Sequence, residues 1–314
     1  MSPWSEADEQ VADATVRAIH ARCPSIGGAR CAVIAPSPSL AVAYSMLREI
    51  ELSGGVPLII PPGDAETVCR ALVDEGIEVV FTLPLVASRI GEYCTLTRGA
   101  PPAGIRLLFC GGDVLSPARQ AMLANMWDAC VLNMFGCSEL FGPVAGPGEE
   151  GGPLVWRCEH VAVEVVDSAT LSPCGTGDRG VMVLSTLWPK ASPLLRYWTD
   201  DMVQLVGTNA TAEPFVFEYI GRPASTLHVD GKPIPLRDID EALLFDGWCT
   251  SEWSIRQTVN GVVIEAETVH GKPAVLRSAR EALRASVDID VELVPRVPGS
   301  LSRVIPKFTV PGRA

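Results

Sequence analysis

Between residues 31 and 134, short apolar runs alternate with stretches of helical spacing. The runs are CAVIA (31–35), VPLII (56–60), IEVVFT (77–82), IRLLFC (105–110) and ACVLNM (129–134), and the helical stretches cover 39–52, 64–75, 84–97 and 116–126. Strands joined through a helix lie parallel, and runs this continuously apolar need cover on both faces. The alternation therefore predicts an α/β layer, a parallel sheet coated by helices. A further helix is expected in front of it over Pro3–Arg22, with Ser2 as N-cap, Pro3 at the first helical position, and Trp4, Ala7, Val11, Ala14 and Ala18 on one side.

The texture changes at Gly142. Gly and Pro become frequent, and alternating runs at 161–166, 181–186, 202–206 and 215–220 predict a small antiparallel sheet or barrel attached to the parallel one. Past GRPAS (221–225) come a helix near 236–244, strands at 252–258 and 261–268, a helix at 273–285 and a strand at 291–294, enough for a separate α+β domain. The boundaries expected are 1–141 for the parallel layer and 142–223 for the β-rich subdomain, together a core over 1–223, with 224–314 a mobile C-terminal domain. EYIGRPASTLHVDGKPIP is the natural hinge between core and C-terminal domain.

Composition narrows the partners. With 47% hydrophobic and 20% charged residues the chain folds. A net charge of −12 without any cluster of Lys or Arg argues against nucleic acid or an anionic membrane surface, and for a small-molecule ligand. No run approaches the roughly 20 apolar residues of a membrane span, and MSPWSEADEQ is polar and acidic, so a cytoplasmic location is expected. The ten cysteines are scattered singly without C-x-x-C and read as small buried hydrophobes. Only Lys190, Lys232, Lys272 and Lys307 supply ammonium groups among the 25 basic residues, so a lysine at a special place carries weight.

Several motifs are set aside. Gly136-Cys137-Ser138-Glu139-Leu140 lacks the last glycine of an esterase elbow. Gly146 to Gly151 spells G-x-G-x-x-G, yet holds a proline and two acids and is read as a loop. The four histidines never pair at metal-ligand spacing. What remains is LNMFGCSE (132–139), a strand-like run that breaks at Gly136 and then offers Ser138 and Glu139. Open α/β sheets bind ligands at the C-terminal ends of their strands, so this polar pair is a site candidate.

Five segments, in order, resemble the adenylate-forming superfamily, and within it the phenylacetate–CoA ligase and coenzyme F390 synthetase branch. LLFCGGDVLSPARQAML (107–123) is similar to the strand, Gly-rich turn and helix that wall the adenine pocket. NMFGCSE resembles the aromatic-Gly-x-Ser/Thr-Glu signature. GDRGVMVLSTLWPKASPLLRYWTDD (177–201) looks like the strand and loop ending in Arg-Tyr-Arg-Thr-x-Asp. YIGRPASTLHVDGKPIPLRDIDEAL (219–243) resembles the hinge and following helix, and VPGSLSRVIPKF (297–308) the loop that brings in a catalytic lysine.

The resemblance implies a chemistry. A carboxylate attacks the α-phosphate of ATP, an anion approaching an anion, so the site supplies Mg²⁺ and fixed donors where charge develops. It implies that Glu139 is the Mg²⁺ ligand, Ser138 a donor to the α-phosphate, Phe135 a platform for adenine, and Gly136 a point of close backbone approach. Gly111, Gly112 and Asp113 would border adenine, Asp201 would accept the ribose hydroxyls, Arg222 would reach ribose or phosphate, and Lys307 would bridge the acid and the α-phosphate. Each has a plainer alternative. Phe135 could be core, Ser138 and Glu139 a helix cap and first-turn acid, Asp200 and Asp201 a turn, Arg222 a loop residue, Lys307 a tail residue, and the two glycines simple turn formers.

Departures are also expected. The Ser/Thr/Gly-rich phosphate loop precedes the region matched by residue 1 and is absent from this chain. Ala224 stands where the hinge has Asp, Trp198 replaces the second arginine, and Asp113 the usual Glu. The expected function is a minimal ATP-dependent ligase activating an aromatic or small carboxylic acid as acyl-AMP, then passing it to CoA, an acyl or peptidyl carrier protein or an amine in biosynthesis. The alternatives are an enzyme using AMP or an acyl-adenylate without ATP, and a non-catalytic pseudo-ligase subunit needing a partner. The acid and the oligomeric state, a homodimer included, are left open.

Overall fold

The computed structural model describes residues 5–35, 41–61, 63–148, 152–188, 192–207, 215–229, 231–245, 247, 249–258, 261–268, 273–287, 291–301 and 308–309. The chain divides into two compact units, Met1–Leu115 with Leu123–Ile220, and Ser116–Met122 with Gly221–Ala314.

The first unit opens with α1 (Glu6–His20). Its cap is Ser5, whose hydroxyl accepts the Asp8 N–H while the Asp8 carboxylate accepts the Ser5 N–H, a capping box. Ser2 and Pro3, the expected cap and first helical residue, lie outside the described residues. Ser5 has an acid three residues on, whereas Ser2 has only Ser5 there.

Next come β1 (Arg30–Ile34), α2 (Ala41–Leu52), β2 (Val56–Ile59), α3 (Ala65–Asp74), β3 (Val79–Thr82), α4 (Pro84–Arg98), β4 (Leu107–Gly111), α5 (Pro117–Trp127) and β5 (Cys130–Cys137). β2-β1-β3-β4-β5 pair parallel in that order. Every residue of β3 and β4 is buried, as double cover requires. Phe81 and Phe109 stack with ring centroids 4.4 Å apart beneath α1 and α2.

The rest of the unit is antiparallel: β6 (Gly142–Pro147), β7 (Leu154–Trp156), β8 (Val161–Val166), β9 (Arg179–Thr186), β10 (Tyr197–Leu205) and β11 (Val216–Gly221). They continue the same sheet, which reads β2-β1-β3-β4-β5-β6-β7-β11-β10-β9-β8. β5 is the junction. Its first half pairs parallel with β4 up to Gly111 and Met134, and its second half pairs antiparallel with β6 from Phe135 onward. The expected break at Gly136 therefore does not occur, because the strand acquires a new neighbour there. Gly146 and Pro147, expected in a loop, belong to β6. A Cβ on Gly146 would lie 2.5 Å from Ile19, so its bare backbone lets α1 pack on the strand.

One cysteine reading is also corrected. Cys69 and Cys94 form a disulfide between α3 and α4, which pack side by side. Twenty-five residues apart, they carry no local spacing signal. Among the described residues, no helix is long and apolar enough to cross a membrane.

The second unit has a hairpin of β12 (Thr226–Val229) and β13 (Lys232–Pro235), then α6 (Leu236–Leu244), β14 (Cys249–Thr258), β15 (Gly261–Thr268), α7 (Pro273–Val287), β16 (Val291–Arg296) and β17 (Phe308–Thr309). Its sheet reads β16-β15-β14-β17. Ser116–Met122 joins this unit through a buried polar knot. Arg119 forks onto both carboxylate oxygens of Asp240, with Nε at 2.9 Å, and Asp240 also accepts the Ser116 hydroxyl at 2.9 Å and the Trp253 indole N–H at 2.8 Å. The Ala118 N–H donates to Glu241 at 2.8 Å.

Candidate functional site

The junction strand β5 delivers the signature. After Cys137 the chain makes one 3-10 turn, Ser138–Leu140, passes through left-handed Phe141 (φ 57°) and returns as β6. This reversal brings the Gly142 carbonyl over Gly136, where an added Cβ would sit 2.3 Å from the oxygen. The close approach that demands glycine here is thus made by the protein's own backbone. Ser138 is exposed and Glu139 half-buried. The Tyr197 hydroxyl donates to Glu139 Oε1 at 2.7 Å.

The second acid comes from β10. Its register against β9 slips between Trp198 and Met202, a bulge that turns the alternation of side chains. Thr199 holds the bulge: its hydroxyl donates to the Met182 carbonyl at 2.8 Å and accepts the Asp201 N–H at 3.0 Å. Asp200 takes φ 61° and stays outside, accepting the Trp198 indole N–H at 2.8 Å. Asp201 points inward, 2% exposed, and accepts the Tyr219 hydroxyl of β11 at 3.1 Å.

Phe135 lies 6% exposed in the apolar cluster of the β-rich region. Its ring meets Phe217 edge-on at 5.3 Å and Tyr219 at 5.2 Å. Burial pushes the Cys137 thiol pKa far up, and the Glu139 and Asp201 charges push it further. Two carboxylates, each bonded to a tyrosine hydroxyl, therefore act on one buried thiol.

Gly111 ends β4 beside Met134, and Gly112 takes φ 78°, a left-handed turn that favours glycine. The Asp113 carboxylate is engaged locally, accepting the Val114 N–H at 2.7 Å. Arg222 belongs to the second unit, exposed ahead of the 3-10 turn Pro223–Ser225 that contains Ala224. Lys307 lies outside the described residues. The structure thus gathers Phe135, Gly136, Ser138, Glu139 and Asp201, with Gly111 on the adjacent strand.

Tyr197 and Tyr219 went unremarked in the sequence. The available signal was their rarity: of four tyrosines, these two fall within the resembling segments. A polar chain on α2 was missed as well. The Ser45 hydroxyl donates to Glu49 at 3.3 Å, and His20 Nε2 lies 3.3 Å from the other Glu49 oxygen. On the same helix Tyr44 is exposed, its ring 5.6 Å from Phe141 at the signature turn. Among the described residues, no three His, Cys, Asp or Glu side chains converge on a metal position. One half-buried carboxylate fits Mg²⁺, which takes one or two protein carboxylates and completes its shell from phosphate oxygens and water.

The architecture is that of the adenylate-forming ligases. 2-Hydroxyisobutyryl-CoA ligase in complex with 2-HIB-AMP superposes with a TM-score of 0.82 over 98% of this chain and 70% of that one, at 16% identity. Benzoate CoA ligase from Burkholderia xenovorans gives 0.63 over 92% and 63%, at 13% identity. At these identities the likeness is one of fold.

In sequence, the chain is similar to phenylacetate-coenzyme A ligases. It is 30% identical over 160 residues to the enzyme of Thermus thermophilus, covering 49% of this chain and 36% of the relative. It is 23% identical over 199 residues to that of Escherichia coli, covering 62% and 45%. These bear out the resemblance read from the five segments. The chain spans less than half the length of the curated relatives it matches. No protein-family model matches it.

Proposed function

We propose that the chain carries the adenylate-binding machinery of an acid–CoA ligase that activates a small or aromatic carboxylic acid as acyl-AMP and transfers it to CoA. The observation that carries this reading is the pair of acids, Glu139 and Asp201, each held by a tyrosine hydroxyl and both acting on the buried Cys137, in a chain whose fold is shared with a ligase crystallised with an acyl-adenylate.

Each residue has a role in this reading. Asp201, held by the Tyr219 hydroxyl, accepts the ribose hydroxyls. Glu139, oriented by Tyr197, is the protein ligand for Mg²⁺, which neutralises charge as the acid meets the α-phosphate. Ser138 donates to the α-phosphate. Gly111, Gly112 and Asp113 border adenine beside Phe135, whose burial makes it the floor beneath the base. Arg222 contacts the ribose or phosphate, and Lys307 bridges carboxylate and phosphate. The Tyr44 side of α2, next to the signature turn, forms a wall of the acid pocket.

Incubation with ATP, Mg²⁺, hydroxylamine and a panel of phenylacetate, benzoate, anthranilate and 2-hydroxyisobutyrate tests this. Pyrophosphate release with one acid is expected, lost in Asp201→Ala. No release with any acid, together with a thermal shift by AMP but not ATP, would instead favour use of a ready-made adenylate.

A further inference from the structure

Val42, Ser45 and Glu49 share one face of α2, being three and four residues apart. That face reaches two glycines of the site. A Cβ built on Gly112 would lie 3.4 Å from Val42 Cγ2, and one built on Gly142 would lie 3.4 Å from Ser45 Oγ. Gly112 follows β4, and Gly142 follows the turn that carries Ser138 and Glu139. Ser45 is half-buried, so part of it stays accessible, whereas Glu49, one turn on, is 5% exposed.

The Ser45 hydroxyl donates to Glu49 Oε1 at 3.3 Å, and His20 Nε2 lies 3.3 Å from Oε2. A carboxylate only accepts, so Nε2 carries the proton of that second contact. The His20 ring is held in turn against Phe109, with centroids 5.1 Å apart. Joining α1 to α2 does not call for this buried acid, because Arg48 already meets Asp13 at 2.7 Å where solvent reaches both. What the acid does to Ser45 is fix the direction of its one hydroxyl proton. The oxygen is then left with lone pairs alone for any other partner, an acceptor without a donor.

We infer that Ser45 is a specificity-determining residue of the acid pocket: with its proton committed to Glu49, its oxygen accepts from a hydroxyl or amino group on the substrate, which is a hydroxy- or amino-substituted carboxylic acid. This rests on the reading above in which the α2 face next to the signature turn walls that pocket. A methyl group in place of the donor forfeits one hydrogen bond, about tenfold in kcat/KM.

The test measures acid-dependent pyrophosphate release with acids matched in shape. These are benzoates carrying hydroxyl, amino or methyl at the ortho, meta or para position, and 2-hydroxyisobutyrate and 2-aminoisobutyrate against pivalate, which has methyl there. Wild type is expected to favour hydroxyl and amino over methyl by about tenfold in kcat/KM in at least one matched set. Ser45→Ala is expected to bring both ratios to about one. Glu49→Gln separates them. The new amide keeps its oxygen towards His20 and turns its NH₂ towards Ser45, so the serine proton swings to the ligand side. A substrate hydroxyl accepts that proton, but an aryl amine has its lone pair drawn into the ring and an ammonium group has none. Glu49→Gln is therefore expected to lose the amino preference and keep the hydroxyl preference. Equal rates within every matched set in wild type, a preference that survives Ser45→Ala, or a Glu49→Gln variant that keeps both preferences or loses both would overturn the inference.

Thermal shifts by the same acids without ATP separate this inference from the adenylation reading. Pyrophosphate release with hydroxyl, amino and methyl acids alike leaves that reading standing and ends this one. No release with any acid, joined to a larger shift from hydroxyl and amino acids than from methyl ones that Ser45→Ala abolishes, ends the adenylation reading and upholds the role of Ser45. No release and no shift would end both.

Discussion

A carboxylate as deeply buried as Asp201 is tolerable only while donors reach it. Tyr219→Phe removes one of them without changing the shape of the core, and is expected to destabilise the first unit by about 1–3 kcal/mol in urea unfolding. An unchanged midpoint would mean the hydroxyl is dispensable. Burial alone pushes the Cys110 thiol from 9.0 up to about 12. Cys23 and Cys31, raised to about 11 by burial first and by Glu49 and Glu78 second, act the same way. Below pH 9 folded and unfolded chains both keep these protons. Between about 9 and 12 the unfolded chain loses them first, so stability falls as pH rises. Urea titrations on both sides of that window should show the decline, and Cys110→Ala should make it shallower. The strand end marked Glu139 and the family resemblance marked Asp201 as candidates from sequence, but their tyrosine partners lie 58 and 18 residues away and no local pattern pairs them.

At the scale of elements, β5 shows why a glycine can mislead. Gly136 looks like a strand terminator in LNMFGCSE, yet it is the residue that lets β6 lie against β5. Gly136→Ala would drive a methyl into the Gly142 carbonyl, backbone against backbone, and is expected to cost about 1–3 kcal/mol or more. Gly28→Ala, with open space around its Cβ position, meets no such clash and suffers only the strain of its φ of 75°, about 1 kcal/mol. Equal losses in thermal unfolding would refute the packing explanation. The disulfide between α3 and α4 gives a count: thiol titration of the unfolded protein should find eight groups without reductant and ten with it. Ten in both would dissolve the pairing. The strands and helices of the parallel layer were legible because their period is written locally, whereas β7 has three residues and no alternation to read.

At the scale of the molecule, Ser116–Met122 folds with residues a hundred positions later. Arg119→Ala would leave the Asp240 carboxylate buried without its guanidinium, and a loss of about 3–5 kcal/mol is expected in the second unit. Limited proteolysis should then cut first within 221–301, and cleavage spread evenly over both units would contradict the division. Sequence by itself determined the parallel α/β layer, the change to antiparallel strands after Gly142, the α+β tail and the acids worth testing. Those follow from local periodicity and residue chemistry, with Asp201 marked by the family resemblance. Only tertiary structure decided that the antiparallel strands extend one sheet through β5 and that Asp201 rather than Asp200 turns inward at a bulge. Each of these depends on hydrogen-bond partners supplied by distant strands, and pairing between distant segments is set by the closing of the whole sheet and leaves no mark in the spacing of neighbours.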